Sequence, residues 1–314
     1  GVDGIFRLFG DDYLDIKWAQ SFETDSANTL ASLKPSRIGI SWERRSLEGI
    51  GYDFSYSWSG DDFNPGIGFE MREDYYMYRG HLQYGWLPGE ESKLYSHRIQ
   101  FSAMNFYRVE DGRLESARIG PGWNFQTKGM MQGSISLGYN IEDVFEEFDF
   151  SDDTNVPVGK YYFWSLRGFF MTPMTFPLYS VIELDAGQFY DGNRVSVSLI
   201  PVWNISSSFE LSGMYQMNRL KFTNRDQSYL GHIGRVKILY MFSTKLTASA
   251  FIQYNSGIDA IISNFRFRYN PREGNDFYLV YNEGTNTVLD NEIPVKPRTS
   301  DRTILLKYTY TFNL

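Results

Sequence analysis

The chain has 314 residues, of which 42% are apolar and 18% aromatic, carries a net charge of -8 and contains no cysteine. The missing cysteines exclude disulfides, thiolate catalysis and cysteine metal sites, and the acidic balance argues against a nucleic-acid partner, which needs basic surface. No run approaches the ~18 consecutive apolar residues of a transmembrane helix.

Residues 5–9 and 13–22 flank Gly10-Asp11-Asp12, which predicts a tight hairpin turn. In the second arm Leu14, Ile16 and Trp18 oppose Asp15, Lys17 and Ala19. A polar stretch at 23–34 reads as a longer loop. Ile38, Ile40 and Trp42 then alternate with Gly39, Ser41 and Glu43, and Tyr52, Phe54, Tyr56 and Trp58 with Asp53, Ser55 and Ser57. A period of two places the aromatics on one face of a strand and the small polar groups on the other. Further arms are predicted at 76–86, 95–109, 113–125 and 130–139, with Asp111-Gly112 the strongest short hairpin signal.

Residues 142–159 break the rhythm. Acids crowd there among Val144, Phe145, Phe148 and Phe150, which reads as a long loop with a helical turn. Strand patterns resume at 161–170, 178–189, 195–199, 209–217, 233–242, 246–254, 265–269 and 277–281. A loop is expected over 282–299. The last arm places Ile304, Leu306, Tyr308, Tyr310, Phe312 and Leu314 on one face.

These arms, about sixteen of them, form no helical period and show no composition break, so residues 1–314 read as one all-β domain. An open sheet of that size would carry two exposed edges and a very large apolar face. Soluble sandwiches and propellers prefer shorter strands, and a propeller needs a repeat per blade. The arms are long enough to cross a bilayer at a tilt, and closure satisfies backbone groups in hydrocarbon. The sequence therefore predicts an antiparallel transmembrane β-barrel in a bacterial outer membrane, in contact with lipid or lipopolysaccharide. A soluble all-strand fold is the competing expectation.

Two stretches carry a family resemblance. One is Asn64-Pro65-Gly66-Ile67-Gly68-Phe69 followed by Arg72. The other is Tyr269-Asn270-Pro271 with Asn275-Asp276-Phe277-Tyr278-Leu279-Val280-Tyr281-Asn282-Glu283. With the ending Lys307-Tyr308-Thr309-Tyr310, the chain resembles the C-terminal barrel domain of an uncharacterised outer-membrane family, mostly from Bacteroidetes. Its members often carry an N-terminal domain similar to family-9 carbohydrate-binding modules. The resemblance implies additional strands before Gly1, a carbohydrate-binding domain upstream and surface or periplasmic protein partners. It implies no catalytic residues.

Charges in mid-strand mark the polar face. Arg98, Arg167, Arg266 and Arg268, with Glu43 and Asp53, are the candidate lumen-lining residues. Such arginines either favour anions in a pore or pair with carboxylates on neighbouring strands. In the 142–153 segment Glu146, Glu147, Asp149, Asp152 and Asp153 offer oxygen ligands suited to Ca²⁺. Their spacing departs from an EF-hand loop, and an exposed acidic loop is the plainer expectation. No catalytic residue is assigned: His81, His97 and His232 lie far apart, and no Gly-x-Ser-x-Gly elbow accompanies them. His97 with a serine would resemble an outer-membrane lipase, where a Ser–His pair faces the bilayer. The expectations for function are thus a pore or transport component for small solutes or glycans, a scaffold that anchors another protein, and, last, a membrane enzyme.

Overall fold

The computed structural model describes residues 1–22, 32–66, 68–70, 72–151, 153–290 and 293–311. Among them nearly everything is antiparallel strand, and the one helical element is a 3-10 turn at Thr223–Arg225. The chain divides into two compact units. One comprises Gly1–Gly168 with Ala186–Asn193, the other Phe169–Asp185 with Arg194–Leu314.

The first unit is a meander. Its strands are β1 (Val2–Phe9), β2 (Asp12–Gln20), β3 (Ser36–Arg44), β4 (Gly49–Ser59), β5 (Tyr75–Trp86), β6 (Leu94–Arg108), β7 (Leu114–Thr127) and β8 (Gln132–Val144). Each pairs antiparallel with the next. Short connections join β1 to β2 and β3 to β4, whereas longer ones join β2 to β3 and β4 to β5. Those two longer connections are tied together, because Lys34 Nζ donates to Asp61 Oδ2 at 2.9 Å. That hydrogen bond holds the Asp61 carboxyl below the usual carboxylate range.

The segment expected to be a loop with a helical turn differs. β8 continues to Val144, and a small hairpin follows, β9 (Phe148–Ser151) with β10 (Thr154–Val156). Phe148 and Phe150 flank Asp149, which is a strand period rather than a helical one. Both rings pack in an aromatic cluster with Phe163, Phe189 and Tyr190. Phe163 lies on β11 (Gly159–Met171), which pairs with β8.

In the second unit β13 (Gly192–Ser206), β14 (Phe209–Phe222), β15 (Gln227–Met241), β16 (Leu246–Asn255), β17 (Ala260–Arg272), β18 (Asn275–Asn286) and β19 (Thr299–Tyr310) follow β12 (Leu178–Phe189) as successive neighbours. β18 runs to Asn286, into the expected 282–299 loop. Its Phe277, Leu279 and Tyr281 share a face with Tyr308, Leu306 and Ile304 of β19, as the alternation predicts. The predicted positions of Phe312 and Leu314 lie outside the described residues.

Two other boundaries move. β1 begins at Val2 rather than Ile5. Asp12, expected in the turn, opens β2 instead. It is buried and accepts hydrogen bonds from Arg44 Nη2 at 2.7 Å and from the Tyr52 hydroxyl, so its carboxylate belongs to the strand ladder.

Register decides which residues share a face. Leu82 of β5 stands opposite Phe101 of β6, which stands opposite Pro121 of β7. Leu82 is 51% exposed and Phe101 50% exposed. Ile40, Phe54, Ile99, Ile119, Ile135 and Leu137 are exposed in the same way. Only Tyr75, Ala117, Val144, Val156, Phe163, Leu220 and Phe222 are buried hydrophobics among the described residues. A soluble protein of this length would bury most of its large apolar side chains in a core. Here they form the outside of a sheet.

The apolar face is also graded along the strands. Tyr84, Trp86, Trp123 and Phe125 lie toward one end, with Trp86 stacked on His97 at 4.9 Å. Tyr76, Tyr78 and Tyr107 cluster toward the other, Tyr76 stacked on Tyr107 at 5.0 Å. Leu82, Phe101, Ala103 and Ile119 fill the interval. The separation from Tyr84 to Tyr76 corresponds to about 27 Å of extended strand, or roughly 20 Å across a sheet tilted like a barrel wall.

Candidate functional site

The opposite face of the first unit is polar for the same reason that the outer face is apolar. Residues that alternate with the aromatics carry the charges, and the ladder brings them into rows. One row reads Asp15, Ser41, Ser55, Arg79 across β2 to β5. The next reads Tyr13, Glu43, Asp53, His81, Ser102 across β2 to β6. A third reads Gly51, Gln83, Gln100, Gly122 and Ser136 from β4 to β8.

Glu43 and Asp53, both predicted for this face, stand directly opposite each other. Two carboxylates in that position repel unless cations screen them. Arg45 supplies one, its Nε donating to Glu43 Oε1 at 2.7 Å. Arg79 supplies the other, with Nε 3.7 Å from Asp53 Oδ1. Arg98 lies on the same face opposite Asn124 and donates to Gln83 Oε1 at 3.3 Å. That partner is an amide oxygen rather than a carboxylate. Arg167 shares the parity of Ser165 on β11 and is exposed.

Two hollows lie on this face. One, of about 860 Å³, has Asp15, Lys17, Arg37, Asp53 and Arg79 around a floor of Gly39, Ser41, Ser55 and Ser57. The other, of about 320 Å³, is bordered by Glu43, Arg45, Asp53, His81, Gln83 and Arg98. Asp53 lines both. Farther along, Arg118 Nη1 donates to Asn140 Oδ1 at 3.0 Å and to Ser165 Oγ at 2.7 Å, joining β7, β8 and β11.

In the second unit Arg266 stands opposite Ser249 and Val280. Arg268 forms an ion pair with Asp276 at 2.7 Å and lies over the Tyr278 ring. Arg235 faces the same way, opposite Met214 and Gln253, and donates to Gln253 Oε1 at 3.0 and 3.1 Å. The predicted arginines therefore fall into two groups, one in each unit.

The histidines sort by face. His97 stacks on Trp86 among the exposed aromatics. His232 Nδ1 lies 2.9 Å from the Tyr215 hydroxyl. His81, on the polar face, sits opposite Ser102 with Nδ1 3.1 Å from Oγ, and its Nε2 is 3.4 Å from Gln83 Oε1. A Ser–His pair generates a nucleophile when a carboxylate orients the imidazole and stabilises its charged form. The group beside Nε2 is an amide oxygen at a long distance, so the pair reads as part of the hydrogen-bonded lining.

Of the proposed metal ligands, Glu147 accepts from Asn155 Nδ2 at 2.6 Å across the small hairpin, and Asp149 is exposed on β9. Asp152 lies outside the described residues. Among the described residues no group of three or more His, Asp or Glu side chains is placed to hold a metal ion.

Sequence reasoning missed Arg79, Arg45, Arg118 and the His81–Ser102 contact. Arg79 and Arg118 share the parity of the polar face, a signal that could have found them. Their partners depend on register, which the turns set and no single strand reveals.

No family model matches the chain, and no curated protein matches it. Among solved structures the chain is similar to a porin described as the KdgM porin in complex with disordered oligogalacturonate. The two are 13% identical, the match covers 76% of this chain and 96% of that one, and the TM-score is 0.21.

Proposed function

We propose that the chain is a bacterial outer-membrane β-barrel that acts as a pore or transport component for small solutes or glycans. One observation carries this reading: the same strands present an exposed apolar face with aromatic ends and, on alternate residues, a charged and polar face. An exposed apolar surface of this extent is stable only against lipid or a partner. The grading from aromatic to aliphatic to aromatic matches the two interfaces and the hydrocarbon between them. Charged residues in mid-strand are unfavourable in a dry core but ordinary along water. Ion pairs and amides lining that face would make the interior passable to polar solutes rather than to lipid.

Membership of the Bacteroidetes barrel family, with an upstream carbohydrate-binding domain and surface partners, is part of the same proposal. It is supported by the residue patterns at 64–72 and 269–283. Contact with lipopolysaccharide follows from the outer-membrane assignment.

The test is reconstitution of the detergent-purified protein into planar bilayers. Stepwise, ohmic conductance is expected. A protein that inserts and folds but never conducts would leave the scaffold reading in its place. A monomer that stays folded without detergent or lipid would remove the membrane assignment itself.

A further inference from the structure

The larger hollow on the polar face of the first unit has the construction of a ligand site. Its floor lies on β3 and β4 and consists of Gly39, Ser41, Ser55 and Ser57. These are small side chains on four neighbouring positions, Gly39 opposite Ser57 and Ser41 opposite Ser55. Charged residues of β2 and β5 stand on either side. Lys17 Nζ pairs with Asp15 Oδ2 at 2.9 Å on one wall, and Arg79 approaches Asp53 Oδ1 at 3.7 Å on the other. The walls are three strand spacings apart, about 14 Å between backbones. The result is a trough sunk between two ion pairs, and at about 860 Å³ it lies within the range of small-molecule sites.

Charge and hydrogen-bonding capacity narrow the occupant. Lys17, Arg37 and Arg79 balance Asp3, Asp15 and Asp53 around the trough, so its side chains offer no net attraction to an anion or a cation. Neither carboxylate is fully enclosed: the side chains of Asp15 and Asp53 are 19% and 28% exposed. A carboxylate has about four lone-pair sites, so each can accept from a ligand hydroxyl while it keeps its cation. Lys17 and Arg79 are more than half exposed and have further donors to offer. Ser41, Ser55 and Ser57 carry hydroxyls that act in either sense. Spread over one floor, these groups suit a ligand that donates and accepts at many points and carries no charge.

We propose that this trough binds an uncharged saccharide, its hydroxyls donating to the Asp15 and Asp53 carboxylates and accepting from Lys17 and Arg79. The inference rests on the reading of this face as the wall of a water-filled interior, and it specifies the cargo.

The experiment is saturation-transfer NMR and titration calorimetry of the detergent-solubilised protein. Maltotriose, cellotriose and chitotriose serve as neutral probes and trigalacturonic acid as the anionic control. At least one neutral trisaccharide is expected to bind saturably. Asp53→Asn should weaken that binding about tenfold, as loss of a hydrogen bond to a charged group does. Ser55→Leu, which raises the floor without adding charge, should abolish it. Circular dichroism and the thermal midpoint of both variants should match the parent. Absence of saturable binding by every neutral probe overturns the proposal, as does preference for the anionic probe or indifference to both substitutions. Conductance is measured on the same preparations. A protein that conducts without binding sugar refutes the trough alone, and one that binds sugar without conducting refutes the pore alone.

Discussion

A single buried amide shows how a polar side chain holds this sheet together. Asn140 Nδ2 lies 3.1 Å from the carbonyl oxygens of Gly138 and Phe163 and 2.9 Å from Ser165 Oγ, so its two protons are shared among three acceptors. Its Oδ1 accepts from Arg118. It therefore satisfies groups on β7, β8 and β11 at once. Asn140→Ala removes these bonds and leaves their partners to find others, which costs about 2–3 kcal/mol. Guanidinium unfolding of the protein in lipid vesicles, followed by tryptophan emission, measures it. An unchanged midpoint would mean that water replaces the amide without penalty. None of this was legible at residue 140 in the sequence, where Asn140 is one polar residue after Tyr139. The same holds for Asp53: its parity was legible, its neighbour Arg79 was not. Alternation gives the face, while partners depend on how far each strand slides against the next.

At the scale of elements, the strands that the sequence showed best are those whose two faces differ most in chemistry, such as β4 with Tyr52, Phe54, Tyr56 and Trp58. The β9–β10 hairpin was missed because its acids and phenylalanines read as an irregular loop, and its strands are too short to establish a period. β7 shows a different kind of local constraint. Pro121 lacks an N–H, so the ladder to β8 cannot be continuous there. The pairing indeed passes from Ile119 opposite Tyr139 to Gly122 opposite Ser136. Next to the proline the two backbones close in. A Cβ on Gly120 would lie 2.0 Å from the Leu137 carbonyl oxygen. Backbone cannot yield as a flexible side chain does, so Gly120→Ala must spread β7 from β8. The expected loss is about 1–3 kcal/mol, with faster amide exchange confined to these two strands. Gly39→Ala is the control, since its Cβ would meet only the Lys17 side chain, at 3.8 Å. Equal effects at the two positions would mean that glycine acts here through chain entropy and not through the close approach.

For the whole molecule, the decisive question is which solvent each face meets, and two neighbouring residues answer it. Phe101 and Gln100 are consecutive in β6, with the same strand neighbours and nearly the same depth. Phe101 stands between Leu82 and Pro121 on the apolar face, and Gln100 between Gln83 and Gly122 on the polar one. An arginine on a lipid-facing wall near the bilayer midplane costs about 2–4 kcal/mol, while one facing water is nearly neutral. Phe101→Arg should therefore lower the stability of the vesicle-inserted protein by about that amount, and Gln100→Arg by much less. Gly122 beside Gln100 leaves room for the longer side chain. If the faces were reversed, or if both were buried against protein, the order of the two variants would invert or the difference would vanish. The comparison is independent of conductance, because it reads the dielectric on each side of the strand rather than any passage through it. It also separates lipid from a covering protein. A partner surface shields Phe101 only when bound, so in that case the cost of the arginine would vary with partner concentration, whereas in lipid it stays with the fold.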